Sequence, residues 1–417
     1  MTTLKLRLHA ALAATLCAAT LLHTAAHAAP QSILFVGNSY TFGRVDPVMS
    51  YNTANVRDMT AEMAATNPLG SNAFEPHPWG GVAGIFKQFT VQAGLDYDVA
   101  LSTRNAASLR GHLLNSNPAG WDLRGNIGSQ TWSQVVLQEQ SDESLTRRPG
   151  LASNPDYFRM YADRIEDYIH QGAEQVYRER DYFPGATNAE RTAACVAATG
   201  ASATACNTLR TIPVNTNASA ATEVFLYQTW ARPNLVDGAF RTVTDAVTGA
   251  VTRTTEPATT FFSSLEDMTE ELRLSFERAN AEAAADGSGG FAGIAPVGQA
   301  FMAAVDAGIA TRDMWSDTAA SDGLIDLWFD DGTHASTWGS YLSALTLYGQ
   351  VTGLNPFALG AGEIAARDLG ISVADALALQ RIAALTLGFS VPEPGTLGLV
   401  TLAGLAAATR RRPAVKE

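Results

Sequence analysis

The stretch Ile33-Leu34-Phe35-Val36-Gly37-Asn38-Ser39 gives the strongest indication of fold in this chain of 417 residues. Four consecutive apolar residues predict a strand that is buried on both faces, as in a parallel sheet covered by helices. The run leads directly into a Gly-Asn-Ser turn, and a serine on a tight turn at a strand end is exposed to a substrate. The N–H group of Ser39 could then help to hold an oxyanion. Taken alone, such a turn is more often merely structural.

Four further runs have the same continuous apolar character, at residues 97–101, 135–137, 224–227 and 291–297. Helix-like patterns separate them, for example at residues 55–65, 157–170, 264–285 and 337–351. This alternation predicts an α/β fold, a three-layer α/β/α sandwich around a five-stranded parallel sheet. Because ligands bind beyond the C-terminal ends of such strands, the residues that follow each strand are the first candidates for a site.

The composition indicates a folded, acidic protein. There are 28 Lys+Arg against 41 Asp+Glu, a formal net charge of −13, and hydrophobic residues make up 46%. The apolar fraction excludes a disordered chain, and the acidic balance argues against a nucleic-acid partner, which normally needs clustered Lys and Arg. Residues 1–28 and the tail beyond Pro394 contain six of the basic residues but only Glu417 among the acidic ones. The chain between them is therefore more acidic still.

The first 28 residues are typical of a secretory signal. Lys5 and Arg7 give a positive start, an Ala/Leu run follows at residues 10–22, and Ala26-His27-Ala28 offers a small-x-small cleavage pattern. The alternative is a transmembrane anchor, but this run is shorter than the roughly 20 apolar residues that a span requires. We expect a signal peptidase to remove residues 1–28.

The C-terminal residues 391–417 have three features in a fixed order. Val391-Pro392-Glu393-Pro394 precedes a Gly/Leu/Ala run at residues 395–409, and Arg410-Arg411-Arg412 follows. This arrangement resembles the PEP-CTERM sorting signal of Gram-negative bacteria. The resemblance implies an exosortase as processing partner, transient membrane contact through the tail, and export to the periplasm, the outer surface or an extracellular matrix. The alternative is an ordinary C-terminal anchor; either one engages the membrane.

The main domain is expected at residues 29–390, with loop-like insertions at residues 181–222 and 238–262. The first insertion is rich in Ala, Thr and Asn, and the second is rich in Thr. Cys195 and Cys206 lie in the first, whereas Cys17 leaves with the signal. An exported chain with two nearby cysteines is expected to form one disulfide, the alternative being two free thiols.

A serine nucleophile needs a base, and His334 is the best candidate. It lies in Asp331-Gly332-Thr333-His334, where a carboxylate three residues before the imidazole can fold back and orient the ring. The alternative is that this segment only caps the following helix and leaves a surface histidine. Asp330 is the alternative carboxylate, and His112 could border the site.

Gly-Asn-Ser near the start and Asp-x-x-His near the end resemble the SGNH/GDSL hydrolases. Four blocks between and around them add to the resemblance, at residues 132–141, 227–233, 294–301 and 331–342. The resemblance covers residues 33–356 apart from the insertions, and it implies a flavodoxin-like fold. It also implies a serine esterase that works through an acyl-enzyme without a cofactor or metal. Ser39 would be the nucleophile, His334 the base and then the acid, and Asp331 the orienting carboxylate.

The same resemblance implies an oxyanion hole with three donors. These are the Ser39 N–H, a backbone N–H at Asn105 or Ala106 where the family usually has glycine, and the Gln140 side chain where it usually has asparagine. Gln138 is a competing donor. Asn38 also stands where the family usually has aspartate. A residue with a Cβ can still offer its N–H, provided that its φ stays allowed.

The expected substrate is a small ester or an acylated carbohydrate. The carbohydrate rests only on the sorting tail and on three tryptophans expected near the mouth of the site, Trp79, Trp230 and Trp338. The alternative function belongs to another class, a surface or matrix polysaccharide-binding protein on a degraded hydrolase scaffold. The altered oxyanion blocks favour that alternative, and the intact Ser39, Asp331 and His334 argue against it.

Overall fold

The predicted first strand is the centre of the structure. The computed structural model describes residues 29–66, 76–114, 121–236, 240–244, 251–255, 260–316 and 319–392. The predicted signal at residues 1–28 and the tail beyond residue 392 lie outside these ranges. Residues 33–36 of the first strand have no exposed surface, as expected for a strand covered on both faces.

The strands form one six-stranded sheet and two small pairs. In chain order they are β1 (Gln31–Gly37), β2 (Val56–Asp58), β3 (Tyr97–Thr103), β4 (Gln134–Gln138), β5 (Gln175–Arg178), β6 (Leu209–Ile212), β7 (Glu223–Tyr227), β8 (Phe240–Thr244), β9 (Val251–Thr255) and β10 (Gly293–Ala295). The large sheet has the order β10-β7-β4-β1-β3-β2, and every neighbouring pair in it is parallel. The pairs β5–β6 and β8–β9 are antiparallel.

Helices connect the parallel strands. They are α1 (Ser39–Phe42), α2 (Ala61–Thr66), α3 (Gly81–Gln92), α4 (Leu109–Leu114), α5 (Leu123–Ile127), α6 (Pro155–His170), α7 (Asn188–Thr199), α8 (Ala203–Asn207), α9 (Pro233–Val236), α10 (Leu265–Asp286), α11 (Val297–Asp306), α12 (Thr337–Thr352), α13 (Ile364–Asp368) and α14 (Val373–Thr386). Short 3₁₀ turns lie at Thr53–Asn55, Glu179–Tyr182, Ala319–Ser321 and Pro356–Leu359.

The two faces of β1 belong to two separate hydrophobic cores. Ile33 and Phe35 pack in a core with residues of α3, α11, α12 and α14, whereas Leu34 and Val36 pack with residues of α4 and α6. Successive side chains of a strand point to opposite faces, so a continuous apolar run supplies both cores at once. This arrangement confirms the predicted three-layer α/β/α architecture and its parallel sheet.

The sheet has six strands rather than the predicted five. Residues 55–65 were expected to be helical, but Val56–Asp58 pairs with β3 as the edge strand β2, and the helix starts only at Ala61. Asp58 ends the strand, since its Oδ1 accepts the Thr60 N–H at 2.9 Å. A three-residue edge strand is too short to show an alternating or continuous apolar pattern.

The two expected loop insertions both contain regular structure. Within residues 181–222 lie α7, α8 and β6, and the structure joins Cys195 of α7 to Cys206 of α8 in a disulfide. Thr187 and Glu190 form a capping box at the start of α7, which explains why an alanine-rich segment is helical here. Within residues 238–262 the backbone pairing of β8 with β9 forms an antiparallel ribbon.

A buried carboxylate, Glu179, links the main domain to β6 of the first insertion, where Arg210 Nη2 lies 3.5 Å from Glu179 Oε1. Glu179 has no exposed surface and accepts hydrogen bonds from Tyr157, Tyr161 and Arg110 at 2.6–2.9 Å. Burial acts to raise the pKa of Glu179, but these hydrogen bonds and the Arg110 charge hold it below its ordinary value.

Among the described residues, no helix is both long enough and apolar enough to cross a bilayer.

Candidate active site

Ser39 lies on a tight turn at the C-terminal end of β1, in the middle of the sheet. It is the first residue of α1, and Asn38 caps that helix by accepting the Tyr40 N–H at 3.1 Å. The Asn38 side-chain nitrogen donates to the Ala107 carbonyl at 3.0 Å, which joins the turn to the segment after β3. Asn38 therefore stabilises the turn and fixes the position of Ser39.

Gln138, at the end of β4, supports the turn from within the protein. Its Oε1 accepts the Asn38 N–H and the Thr41 hydroxyl, each at 2.9 Å, and its side-chain nitrogen donates to the Glu139 carbonyl. A Cβ at Gly37 would lie 2.4 Å from this Oε1, so only glycine permits the close approach. Gln138 is fully buried, and its hydrogen bonds support the turn, so it is a poor candidate for the competing oxyanion donor.

The segment Asp331–His334 brings an imidazole to the serine. His334 Nε2 lies 2.9 Å from Ser39 Oγ, and His334 Nδ1 lies 2.6 Å from Asp331 Oδ2. Since an ionised carboxylate can only accept, Nδ1 is assigned the proton and Nε2 accepts from the Ser39 hydroxyl. The three residues thus form a continuous chain of hydrogen bonds across 295 positions of sequence.

Asp331 is held by the backbone of its own loop. Its Oδ1 accepts the N–H groups of Thr333 and His334, both at 2.9 Å. Burial acts to raise the pKa of Asp331, but hydrogen bonds from the His334 ring and from these N–H groups hold it below its ordinary value. Asp330, the alternative carboxylate, is exposed, and Asp331 contacts the imidazole.

Two aromatic side chains fix the histidine loop. Tyr40 and Trp230 stack at 4.1 Å, and both donate to the Thr333 carbonyl, Tyr40 at 2.7 Å and Trp230 at 3.1 Å. The loop also needs a residue in the left-handed region, which Gly332 supplies with φ at +62°. Because Tyr40 follows Ser39 directly, it links the Ser39 turn to the loop that carries His334.

The sequence-predicted oxyanion donors line one cavity with the serine and histidine. Ser39, Asn105, Ala106, Gln140 and His334 all border this cavity, which measures about 260 Å³. Ala106 has a φ of +55°, a left-handed conformation that costs a residue with a Cβ about 1–2 kcal/mol. Alanine thus occupies a backbone conformation that favours glycine, which is the usual residue at this position in the hydrolase family that the sequence resembles.

Gln140 is oriented by the turn that follows β4. Its Oε1 accepts the N–H groups of Asp142 at 3.1 Å and Glu143 at 3.2 Å. This fixes the amide plane and leaves the Gln140 side-chain nitrogen, 3.5 Å from Ser141 Oγ, as the donor end. The longer side chain of glutamine therefore offers the same kind of donor as an asparagine would.

Several other residues that the sequence suggested for the site lie outside the described lining of the cavity. His112 is fully buried, and its Nε2 donates to the Gly37 carbonyl at 2.8 Å from behind the Ser39 turn. Burial lowers the pKa of His112 to about 4. Trp79 and Trp230 have no exposed surface, so neither offers a face to a sugar, and Trp338 is half-buried with its N–H 3.4 Å from Asp375.

Four polar residues at the same cavity had no predicted role. They are Arg44, Ser141, Asp142 and Arg232. Ser141 and Asp142 follow β4, and Arg232 follows β7, so their position after a strand was the available signal. The sequence could not show that Arg232 bridges two loops, because its partners Ser141 and Thr333 are distant in sequence.

Two other features lie apart from this cavity. A larger cavity of about 680 Å³ is lined by residues of the first insertion, among them Arg180, Thr192 and Asn207. Asp163, Asp167 and Asp286 bring carboxylate oxygens within 4.8 Å of one another. Burial and the neighbouring carboxylates raise the pKa of Asp163 to about 7 and that of Asp167 to about 6. Near neutral pH these carboxylates therefore bind protons, which lowers the negative charge of the cluster.

The PEP-CTERM protein-sorting motif matches residues 390–412. This match confirms the predicted sorting signal at the C-terminus and marks the chain as one that is sorted for export. No curated protein matches the chain in sequence.

Three solved structures are similar to the chain at low identity. A candidate SGNH hydrolase from Slackia heliotrinireducens is 16% identical, with 77% of this chain and 99% of that chain covered and a TM-score of 0.33. A DUF4886 family protein from Bacteroides uniformis is 14% identical, with 88% and 98% covered and a TM-score of 0.37. A candidate GDSL-like lipase from Parabacteroides merdae is 12% identical, with 78% and 96% covered and a TM-score of 0.36.

Proposed function

We propose that this protein is an exported serine hydrolase that cleaves carboxylic esters through an acyl-enzyme. One observation carries the proposal. Ser39 Oγ, His334 and Asp331 form an unbroken hydrogen-bonded chain with separations of 2.9 and 2.6 Å at the wall of a cavity. A nucleophile, a base and a group that orients the base are the minimum set for acyl transfer.

In the first half-reaction, the Ser39 oxygen attacks the ester carbonyl carbon while His334 Nε2 takes the hydroxyl proton. The imidazolium that forms is stabilised by the Asp331 carboxylate through Nδ1. The Ser39 N–H, the N–H of Asn105 or Ala106, and the Gln140 amide would hold the oxyanion. The carbon–oxygen bond to the alcohol then breaks, and His334 gives the proton to the leaving alkoxide.

In the second half-reaction, water replaces the alcohol. His334 Nε2 takes a proton from the water, the resulting hydroxide attacks the acyl carbon, and the bond to Ser39 Oγ breaks with return of the proton to that oxygen. The products are one alcohol and one carboxylic acid for each ester and water consumed. The fixed Asp331–His334 pair serves both halves without rearrangement, since Oδ1 of Asp331 is held by backbone N–H groups.

The alternative, a polysaccharide-binding protein on a degraded scaffold, has less support. Trp79 and Trp230, two of the aromatic residues that could have stacked on a sugar, are fully buried. The altered oxyanion blocks still line the cavity, with an oriented Gln140 and a left-handed Ala106, and this supports the hydrolase proposal. The proposed substrate is a small ester, and an acylated carbohydrate is one member of that class.

A fluorophosphonate probe tests the nucleophile directly. We expect the probe to lose fluoride and form one covalent bond to Ser39 Oγ, identified by mass spectrometry of the modified peptide. Ser39→Ala should remain unlabelled under the same conditions. Absence of labelling in the folded wild-type protein would overturn the hydrolase proposal and favour the binding protein.

Gln140→Ala tests the oxyanion donor that departs most from the resemblance. We expect kcat for a short-chain acetate ester to fall by about 10²–10³, the usual loss for one donor of this kind. Gln171→Ala, an exposed glutamine on the end of α6 outside the cavity, is the matched control and should keep its rate. A Gln140→Ala enzyme with unchanged kcat would remove this side chain from the oxyanion hole.

A further inference from the structure

The cavity beside Ser39 is polar. Among the described residues that line it, all but Ala106 have side chains with oxygen or nitrogen, and none is Leu, Ile, Val, Met or Phe. Its charged lining residues in the described part of the chain are Arg44, Arg232 and Asp142, beside His334. A cavity of about 260 Å³ with these walls suits a short acyl group and a polar neighbour far better than a long alkyl chain.

Arg232 is held rigidly at the wall of this cavity. Its Nη1 donates to Ser141 Oγ at 2.9 Å, and its Nη2 to Thr333 Oγ1 at 3.3 Å. On the far side, its Nε donates to Asn234 Oδ1 at 3.2 Å. The side chain is 11% exposed, and its Nη1 lies 3.6 Å from Asp142 Oδ1, within ion-pair distance. The guanidinium is thus oriented in advance, so little rotamer entropy remains to be lost when it binds a ligand.

Two buried carboxyl groups near the cavity oppose the Arg232 charge less than ordinary carboxylates would. Glu139 accepts the Leu109 and Gln140 N–H groups from beneath the oxyanion turn and is 1% exposed. Burial raises the pKa of Glu139 well above its ordinary value, and burial with the Asp142 charge raises that of Glu143 to about 7. Both shifts favour the uncharged carboxyl, whereas Asp142 lines the cavity itself.

We propose that the cavity selects esters that carry a carboxylate beside the acyl group, and that Arg232 is the residue that recognises it. The inference rests on the proposed esterase function and names its substrate class. A planar, fixed guanidinium is suited to a carboxylate. In a protein with a net charge of −13, an anionic substrate needs such a local positive site.

Two matched pairs of substrates test the selection with the whole protein. The first pair is an O-acetylated hexuronate and the same O-acetylated hexose, which differ in a carboxylate on the alcohol side. The second pair is a hemisuccinate and a butyrate of one alcohol, which differ in a carboxylate on the acyl side. We expect kcat/KM to favour the charged member of one pair by about ten- to hundredfold, and the pair that shows it locates the carboxylate.

Arg232 variants separate recognition from positioning. Arg232→Gln should lower kcat/KM for the charged ester by about ten- to hundredfold and leave the neutral ester within about threefold. Arg232→Lys keeps the charge and should retain part of the preference, which covers the case in which Arg232→Gln folds poorly. Arg278→Gln, on an exposed arginine of α10, is the matched control and should change neither substrate.

The outcomes that overturn the inference differ from those that overturn the esterase. Equal turnover of charged and neutral esters by the wild type overturns the selection and leaves the esterase intact. An equal loss for both esters in Arg232→Gln overturns recognition, because Arg232 would then only hold Ser141 and Thr333 in place. No turnover of any ester together with no fluorophosphonate labelling overturns the proposed function itself.

Discussion

Ser39→Ala is expected to abolish hydrolysis of a short-chain acetate ester, with a fall in kcat on the order of 10⁶. In the proposed mechanism the side-chain oxygen attacks the carbonyl, and its one side-chain partner among the described contacts is His334 Nε2 at 2.9 Å. Alanine keeps the α1 backbone and removes only the oxygen. The measurement is initial-rate kinetics of the purified variant beside the wild type, with the spontaneous rate subtracted.

Folding must be shown separately for this variant. We expect the Ser39→Ala melting temperature to stay close to the wild-type value, since the asparagine cap and the Gln138 contacts of the turn do not involve the Ser39 side chain. Ser372→Ala is the matched control. It removes the cap of α14, which should cost about 1 kcal/mol of unfolding free energy while turnover is kept. A folded Ser39→Ala protein that still turns over ester would show that the nucleophile lies elsewhere.

The sequence was most informative where one local pattern determines one structural role. The apolar residues 33–36 predict a strand buried on both faces, and their side chains do alternate between two cores. The spacing of Asp331 and His334 places a carboxylate and an imidazole within one turn of chain, so their contact follows from local geometry. Both conclusions need only neighbouring residues, which is why the sequence sufficed.

The sequence was least informative where structure depends on partners distant in the chain. β2 forms a strand by pairing with β3, which lies beside it in the sheet. Its three residues are too few to show a strand pattern within a segment whose sequence predicts a helix. The first insertion differs, since Thr187 and Glu190 carry a capping signal in the sequence, whereas the composition of the segment predicts a loop. The orientation of Gln140 and the bridge made by Arg232 require the assembled sheet edge.

Asp331→Asn should lower kcat by about 10⁴ while changing KM little. The amide is similar in shape, but its nitrogen cannot accept the His334 Nδ1 proton, so the imidazole adopts the tautomer that cannot take the Ser39 proton. Because hydrogen bonds hold the pKa of Asp331 below its ordinary value, the wild-type carboxylate is ionised throughout the range from pH 5 to pH 8. The measurement is kcat and KM of the two proteins for a short-chain acetate ester at one pH within that range.

Asp330→Asn is the neighbouring control, because it makes the same change on an exposed carboxylate one position away. Its kcat should remain within about threefold of the wild type, as is usual for a surface charge change outside the hydrogen-bonded chain. A large loss in Asp330→Asn with little loss in Asp331→Asn would transfer the orienting role to Asp330.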